Sequence, residues 1–225
     1  MRRKLTISLL LILSILGLFV IANATQTLTI YKIRDNALAP LYGEGSFVMA
    51  SKLKKPVYNN LVCFNISTPA NKEELVIRRI LGLEGDTLEI NDGYLLRNGI
   101  MADNPYHVMF NYYAYKNRIR DIKIFKDLKI KPLILKDSVI LCLSYSEHTK
   151  MEYFLLLHKL DKPMISKSFI GYSKSGETAS QSQIIVPKGY CFVLADNRDN
   201  YADSRQWGCI RLSSIKGIVF NGTKQ

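Results

Sequence analysis

The chain has 225 residues and a formal charge of +12, and hydrophobic residues make up 48% of it. A chain of this length can bury one substantial core, and its apolar content excludes a disordered protein. The positive charge alone would suggest nucleic acid, but the basic residues are scattered and form no recognised DNA- or RNA-binding motif. We therefore expect no nucleic-acid partner, and the N-terminus indicates membrane lipid instead.

The N-terminus carries three basic residues, Arg2, Arg3 and Lys4, followed by an uncharged apolar run over residues 5–22. About 18 residues at a helical rise of ~1.5 Å span roughly 27 Å, the thickness of a bilayer core, and the basic start favours a cytoplasmic N-terminus. We predict that residues 1–24 are an uncleaved single-pass anchor in the inner (cytoplasmic) membrane, with the bulk of the chain extracytoplasmic. A cleaved signal peptide is the alternative, because Ala22-Asn23-Ala24 fits the small-x-small cleavage pattern.

Two parts of the chain read as β-sheet. Residues 25–100 and 184–225 contain short runs of β-branched and aromatic residues, broken by Gly, Pro and Asn. Such runs are typical of strands, and Gly85-Asp86 and Asn91-Asp92-Gly93 have the composition of turns. We predict that these two parts form one β core.

Residues 101–183 are predicted to be an insertion of unknown function. An aromatic cluster between Tyr106 and Tyr115 precedes a basic segment between Arg118 and Lys131. In the basic segment, apolar residues recur near helical spacing and predict a helix that Pro132 would end, namely Ile119, Ile122, Phe125 and Leu128. Residues 166–183 are polar and predict a loop. The insertion either contacts a partner or the outer leaflet, or it is an ordinary packed helix and strand.

The cysteines and histidines show no pattern of a metal site. Cys63, Cys142, Cys191 and Cys209 lack C-x-x-C spacing and lie in apolar, strand-like runs, which favours buried thiols. In an exported chain a pair could oxidise, with Cys191 and Cys209 as the best candidates. His107, His148 and His158 have no ligand-like spacing, and we expect neither a metal nor any other cofactor.

The densest motif lies near the C-terminus, where residues 194–208 read LADNRDNYADSRQWG. This run resembles the box G-D-N-R-x-N-S-x-D-S-R-x-W-G of the type I signal peptidases. Upstream, residues 76–90 resemble that family's K-R-V-x-G-x-P-G-D strand and turn, and residues 37–40 resemble its S-M-x-P-T-L box. The order and spacing agree, and the resemblance covers residues 29–99 and 184–220.

The resemblance implies a mainly β fold: a signal-peptidase-like antiparallel β-sheet core with a partly helical insertion and one N-terminal transmembrane helix. It also implies that several residues at the site are structural, with Asp196 paired to Arg79 and Asp203 to Arg205. Planar guanidinium groups and carboxylates form such bidentate pairs and can lock a loop beside a site. The expected structural residues are Arg79, Asp196, Asn197, Arg198, Asp203, Ser204 and Arg205.

The same resemblance leaves the catalytic positions without catalytic residues. In the family, a serine attacks the peptide carbonyl, a neutral lysine takes its proton, and a hydroxyl and a backbone amide hold the oxyanion. Here the nucleophile position is Ala37, and the base position is Arg78, which stays protonated. The serine that orients the lysine falls on Tyr201, and the oxyanion hydroxyl falls on Asp35, whose charge would repel the oxyanion.

We therefore expect no catalytic residues, and we interpret the chain as a non-catalytic signal peptidase homologue. Its expected partners are membrane lipid and signal peptides or an active signal peptidase, which it would serve by binding or presenting peptides or by scaffolding an export complex. The alternative is an active membrane serine-type endopeptidase with an atypical site. Ser46, Ser51, Lys52 and Lys54 are close in sequence, but none lies at the turn before Pro40.

Overall fold

The computed structural model describes residues 2–24, 27–67, 72–91, 93–104, 107–119, 122–128, 130–152, 158–159, 169–170, 180–181 and 183–220. Within these ranges there are three α-helices: α1 (Arg2–Ala24), α2 (Tyr145–Glu152) and α3 (Ser204–Trp207). The apolar side chains of α1 between Ile7 and Ile21 are exposed. No helix in the described part of the chain meets the length and hydropathy that a membrane crossing requires.

The largest sheet contains seven strands in the order β1-β2-β17-β3-β4-β15-β16, and all its strand pairs are antiparallel. The strands of this main sheet are β1 (Leu28–Lys32), β2 (Phe47–Ser51), β3 (Leu61–Ser67), β4 (Glu73–Leu83), β15 (Tyr190–Leu194), β16 (Ile210–Arg211) and β17 (Ile215–Val219). The predicted antiparallel β architecture is thus confirmed.

Smaller antiparallel sheets accompany the main one. The first has the order β14-β5-β6-β7, the second has the order β11-β8-β10-β9, and β12 pairs with β13. Their strands are β5 (Thr87–Asn91), β6 (Tyr94–Arg97), β7 (Ile100–Met101), β8 (Met109–Tyr115), β9 (Leu133–Ile134), β10 (Ser138–Ser144), β11 (His158–Lys159), β12 (Phe169–Ile170), β13 (Ser180–Gln181) and β14 (Gln183–Ile185). The sheet containing β8 and β10 lies wholly within residues 101–183.

The main sheet buries apolar side chains on both faces. Alternation along β3 sends Leu61 and Cys63 into one cluster and Val62 and Phe64 into the other. Because both faces are covered, β3 reads as a continuous apolar run rather than as an alternating one. A third cluster joins the main sheet to the β5-β6 hairpin through Leu88 and other residues.

The predicted helix after Arg118 is wrong. The structure instead has two short 3₁₀ turns, Lys116–Arg118 and Ile122–Phe125. The apolar residues at 119, 122, 125 and 128 are spaced by three, which is the period of a 3₁₀ helix and not the 3.6 of an α-helix. Ile119, Phe125 and Leu128 pack into the cluster under β8 and β10, so tertiary packing stabilises these turns.

Two further expectations concern residues 166–183 and the cysteines. Most of the loop predicted for residues 166–183 lies outside the described residues, and the parts that are described belong to the short strands β12, β13 and β14 rather than to a loop. All four cysteines are free thiols. Cys191 packs with Val193 on one face of β15, whereas Cys209 packs with Phe192 and Leu194 on the other.

Candidate functional site

The site lies along β4, the longest strand of the main sheet. On one side, β4 pairs with β3 from Glu73 to Arg79. On the other side, β15 pairs only with the end of β4, from Arg79 to Leu83. In the part of the chain that the structure describes, no strand pairs with this second side between Glu73 and Arg78. This half of β4 is therefore a sheet edge that ends at the base position.

The base position, Arg78, is 2% exposed, and its guanidinium lies across the end of that edge. Its Nε donates to the Ala202 carbonyl at 2.9 Å, and Nη1 donates to the Ile77 carbonyl at 2.7 Å. The guanidinium carbon also lies 5.6 Å from the ring centre of Trp207. Arg78 thus links the edge of β4 to the loop before α3.

The oxyanion position, Asp35, meets Arg78 directly. Both terminal nitrogens of Arg78 lie 3.3 Å from Asp35 Oδ2. The other carboxylate oxygen, Oδ1, accepts a hydrogen bond of 3.1 Å from the backbone N–H of Ala37, the nucleophile position. Three of the four substituted positions therefore meet at one carboxylate.

At the positions that the resemblance assigns to the family's proton transfer, neither Arg78 nor Ala37 carries the group that this transfer requires. A guanidinium has no lone pair to accept a proton at any working pH, and Ala37 carries no hydroxyl. A carboxylate accepting from the Ala37 amide and from Arg78 occupies donors that could otherwise stabilise an oxyanion. The substitutions at 35 and 78 are complementary, because together they form an ion pair.

The fourth substituted position, Tyr201, stands beside the same turn. Burial raises the pKa of Tyr201 above its ordinary value, a hydrogen bond with the Asn36 backbone lowers it, and Asp35 raises it again. The net shift is upward, so the phenol stays neutral at physiological pH. Tyr201 thus brings a bulky neutral ring where the family has a small hydroxyl.

The C-terminal box, residues 195–208, contains the two predicted ion pairs. Arg79 Nε and Nη2 donate to the two oxygens of Asp196 at 2.8 and 2.6 Å. Arg205 makes the same fork with Asp203, at 2.8 Å to each oxygen. All four residues are buried. Asp203 also caps α3, and Ser204 Oγ accepts from the Val193 backbone N–H at 3.0 Å.

A third ion pair in the box was not predicted. Arg198 is 1% exposed, and its two terminal nitrogens donate to the two oxygens of Asp103. Its Nη1 also donates to the Gly93 carbonyl at 2.9 Å. Asp103 lies before β8, outside every motif that the sequence analysis uses. A buried arginine such as Arg198 requires a carboxylate partner, but the sequence alone does not identify which carboxylate that is.

Asn197 belongs to an amide network on the other side of the box. Its backbone N–H donates to the Ala37 carbonyl at 2.9 Å, and its Oδ1 accepts from Asn200 at 2.7 Å. Asn200 and Asn111 exchange two amide hydrogen bonds, and the Cys142 thiol donates to Asn197 Oδ1 at 3.3 Å. This network lines a cavity of about 380 Å³ that Tyr201 borders.

The alternative nucleophiles lie elsewhere. Ser51 is buried on β2, and its hydroxyl accepts from the Leu53 backbone N–H. Ser46 lies in the turn before β2, with its backbone N–H bonded to the Gly43 carbonyl. Lys54 lies over the ring of Phe220 at 4.7 Å.

The edge of β4, the turn at Ala37 and the buried Asp/Arg box together define a signal-peptidase type of scaffold. Comparison with known proteins agrees. The family described as signal peptidase, peptidase S26, matches residues 5–221, so the chain belongs to that family.

Individual relatives match most of the chain. Signal peptidase I of Aquifex aeolicus is 26% identical over 228 residues, covering 98% of this chain and 83% of the relative. Mitochondrial inner membrane protease subunit 1 of Xenopus tropicalis is 29% identical over 160 residues, covering 64% and 84%. A crystal structure of a signal peptidase I from Enterococcus faecalis aligns at 22% identity and a TM-score of 0.35, covering 73% of this chain and 97% of that one.

Proposed function

We propose that this chain is a non-catalytic signal peptidase homologue that binds signal peptides. The observation that carries the proposal is the ion pair of Arg78 with Asp35, whose carboxylate also accepts from the Ala37 amide. A base position that cannot deprotonate and a nucleophile position without a hydroxyl leave no path for acyl transfer. The side chains at positions 35 and 78 bind each other instead of a substrate. This supports a chain that has lost the catalytic groups of the family and kept its scaffold.

Peptide binding is supported by the edge of β4, where no strand among the described residues pairs with positions 73–78. Neighbouring backbone groups of a strand point alternately to its two sides, and those of Ile80 point towards β3, where they pair with Asn59 and Asn60. The backbone groups of Ile77 and Leu75 therefore point to the second side. An extended peptide can add to such an edge by main-chain hydrogen bonds, and this mode of binding does not need a catalytic dyad.

The N-terminal helix is the proposed membrane anchor. The support is the basic start at residues 2–4, the uncharged run that follows and the exposed apolar side chains between Ile7 and Ile21. In this proposal the anchor stays uncleaved, and the chain from residue 25 onwards faces the extracytoplasmic side. The chain would hold or present signal peptides to an active signal peptidase, or scaffold an export complex, and membrane lipid is its other partner.

The test uses the full chain purified in detergent. A fluorescent preprotein with an Ala-x-Ala cleavage site is incubated with the chain, and cleavage and binding are measured in the same samples by gel analysis and fluorescence anisotropy. We expect saturable binding without cleavage. Cleavage by the unmodified chain would refute the non-catalytic assignment, and absence of binding would refute the peptide-binding role.

A second candidate function is an active endopeptidase with an atypical site. The observation that favours it is the similarity along nearly the whole chain to relatives named signal peptidase I. A covalent serine probe separates the two candidates, because a working serine nucleophile would be labelled. We expect no labelling, and labelling lost on Ser46→Ala or Ser51→Ala would establish this second function instead.

A further inference from the structure

The guanidinium of Arg78 is held in place without the help of Asp35. The Ala202 and Ile77 carbonyls accept from it at 2.9 and 2.7 Å, and the Trp207 ring lies 5.6 Å away. Both carbonyls are neutral, so the positive charge is oriented but not compensated by them. Compensation comes from the Asp35 carboxylate alone among the groups that the structure places in contact with it.

Asp35 is the more weakly held member of the pair. Its contacts to Arg78 are 3.3 Å long, and its side chain is 30% exposed, against 3% for Arg78. The carboxylate can therefore rotate into water at little cost, leaving behind two donors, the guanidinium and the Ala37 N–H. These donors form a binding site for one carboxylate, and Asp35 of the same chain occupies that site.

The edge of β4 ends at this carboxylate-binding site. A peptide that pairs in parallel with Glu73–Ile77 runs towards Arg78 with its C-terminal end. The Ile77 carbonyl is already taken by Arg78, and the guanidinium extends from it to Ala202 and Asp35. A longer peptide would have to cross this side chain, whereas a peptide that ends there places its terminal carboxylate against the two donors.

We propose that Arg78 and the Ala37 amide form a binding site for the free C-terminal carboxylate of an extended peptide, which displaces Asp35. The ligand bound most tightly is a peptide that has already been cleaved, such as a released signal peptide, and an intact preprotein binds more weakly at the same edge. This inference rests on the proposed peptide-binding function. A carboxylate matches the guanidinium fork with two charge-assisted hydrogen bonds, and the neutral amide of an uncut chain does not.

The experiment compares two forms of one probe. A labelled synthetic signal peptide ending in Ala-Asn-Ala, the sequence of residues 22–24, is made with a free carboxylate and with a C-terminal carboxamide. Binding to the full chain in detergent is measured by anisotropy. We expect the acid form to bind about tenfold more tightly, in line with the strength of charge-assisted hydrogen bonds.

Two variants and one control sharpen the comparison. Asp35→Ala removes the internal competitor and should raise the preference for the acid form about tenfold further. Arg78→Gln removes the guanidinium and should abolish the preference. Glu44→Ala removes an exposed acidic residue nearby that does not contact Arg78, and it should leave the preference unchanged.

Each outcome of this comparison either supports or refutes the proposed carboxylate site. Equal binding of the acid and carboxamide forms would refute the carboxylate site while leaving peptide binding intact. No binding of either form would refute both proposals. If Arg78→Gln fails to fold, Asp35→Ala remains decisive, because an unchanged acid preference in that variant contradicts displacement of Asp35.

Discussion

Two regions of this molecule place arginine against aspartate, and they do so differently. In the C-terminal box, the pairs of Arg79 with Asp196 and Arg205 with Asp203 have contacts of 2.6–2.8 Å, and both partners are buried. At the substituted site, the contacts are 3.3 Å, and the Asp35 side chain is 30% exposed. The chemistry of the pairs is the same, but the box buries both partners, whereas the substituted site buries Arg78 and leaves Asp35 partly exposed to water.

This difference distinguishes the residues that stabilise the fold from the residues at the positions of the family's catalytic groups. Breaking a buried pair leaves an uncompensated charge without water, so every partner in the box is needed for folding. At the substituted site only the Asp35 side chain reaches water, and Arg78 is as buried as the arginines of the box. The residues of the box are thus constrained by stability, whereas position 35 can vary at a lower cost to the fold.

The largest expected effect follows from that separation: the retained scaffold should regain peptidase activity when the four groups are restored. The variant combines Ala37→Ser, Arg78→Lys, Tyr201→Ser and Asp35→Ser. The lysine must be neutral to act as a base, and burial at position 78 depresses its pKa in that direction. One oxyanion donor alone is worth about a hundredfold in rate. We expect preprotein cleavage at least ~10³-fold above the unmodified chain.

The single variants are the controls, and their effects should be far from additive. Ala37→Ser alone should remain inert, because no base takes its proton and Asp35 still holds the amide. A quadruple variant that folds and binds signal peptide but does not cut would show that the two regions have diverged together. In that case the box no longer serves as a scaffold for this chemistry.

The second expected effect concerns stability and compares Asp103→Ala with Asp35→Ala. Asp103→Ala leaves Arg198, whose side chain is 1% exposed, without its carboxylate, and should cost about 3–5 kcal/mol. Asp35→Ala leaves Arg78 with two carbonyl acceptors and opens it to water on the side where Asp35 is 30% exposed, so it should cost less, about 1–3 kcal/mol. Thermal unfolding in detergent checks this, with a lower Tm for Asp103→Ala than for Asp35→Ala. Equal shifts would mean that burial does not distinguish the two regions.

Much of the box was predictable from sequence because its partners carry a recognisable order of residue types. The pairing of Asp203 with Arg205 is local, and that of Asp196 with Arg79 joins two motifs that the family resemblance already relates. The Asp103–Arg198 pair was missed because Asp103 lies in a segment without a motif. The fold class was predictable for a similar reason, since short runs of β-branched and aromatic residues and the turn residues between them are local signals.

The ion pair at the site was not predictable. In the sequence, Asp35 and Arg78 indicate two separate losses of function, because 43 residues separate them and no periodicity connects them. Their contact depends on how β4 and the turn at Ala37 meet in three dimensions. The prediction of a helix after Arg118 was wrong for a different reason. The apolar spacing of three was visible in the sequence, but it was assigned to an α-helix and not to a 3₁₀ helix.

The smallest expected effect uses Cys142 as a reporter of the box. Its thiol donates to Asn197 Oδ1 and accepts from Asn200, whereas Cys209 lies just beyond the box and is only half-buried. Burial, with contributions from Asp199 and Glu147, raises the pKa of Cys142 to about 12, and burial raises the pKa of Cys209 to about 11. A raised thiol pKa means that less thiolate, the reactive form, is present at a given pH. We expect iodoacetamide to modify the more deeply buried Cys142 more slowly than Cys209, as followed by mass spectrometry, with both rates rising as the pH rises towards 11. Asp103→Ala should accelerate Cys142 selectively, because loosening the box admits water and reagent, while Asp35→Ala should leave its rate unchanged. If Asp35→Ala accelerates Cys142 as much as Asp103→Ala does, the substituted site and the box form one cooperative unit, and the contrast between them fails.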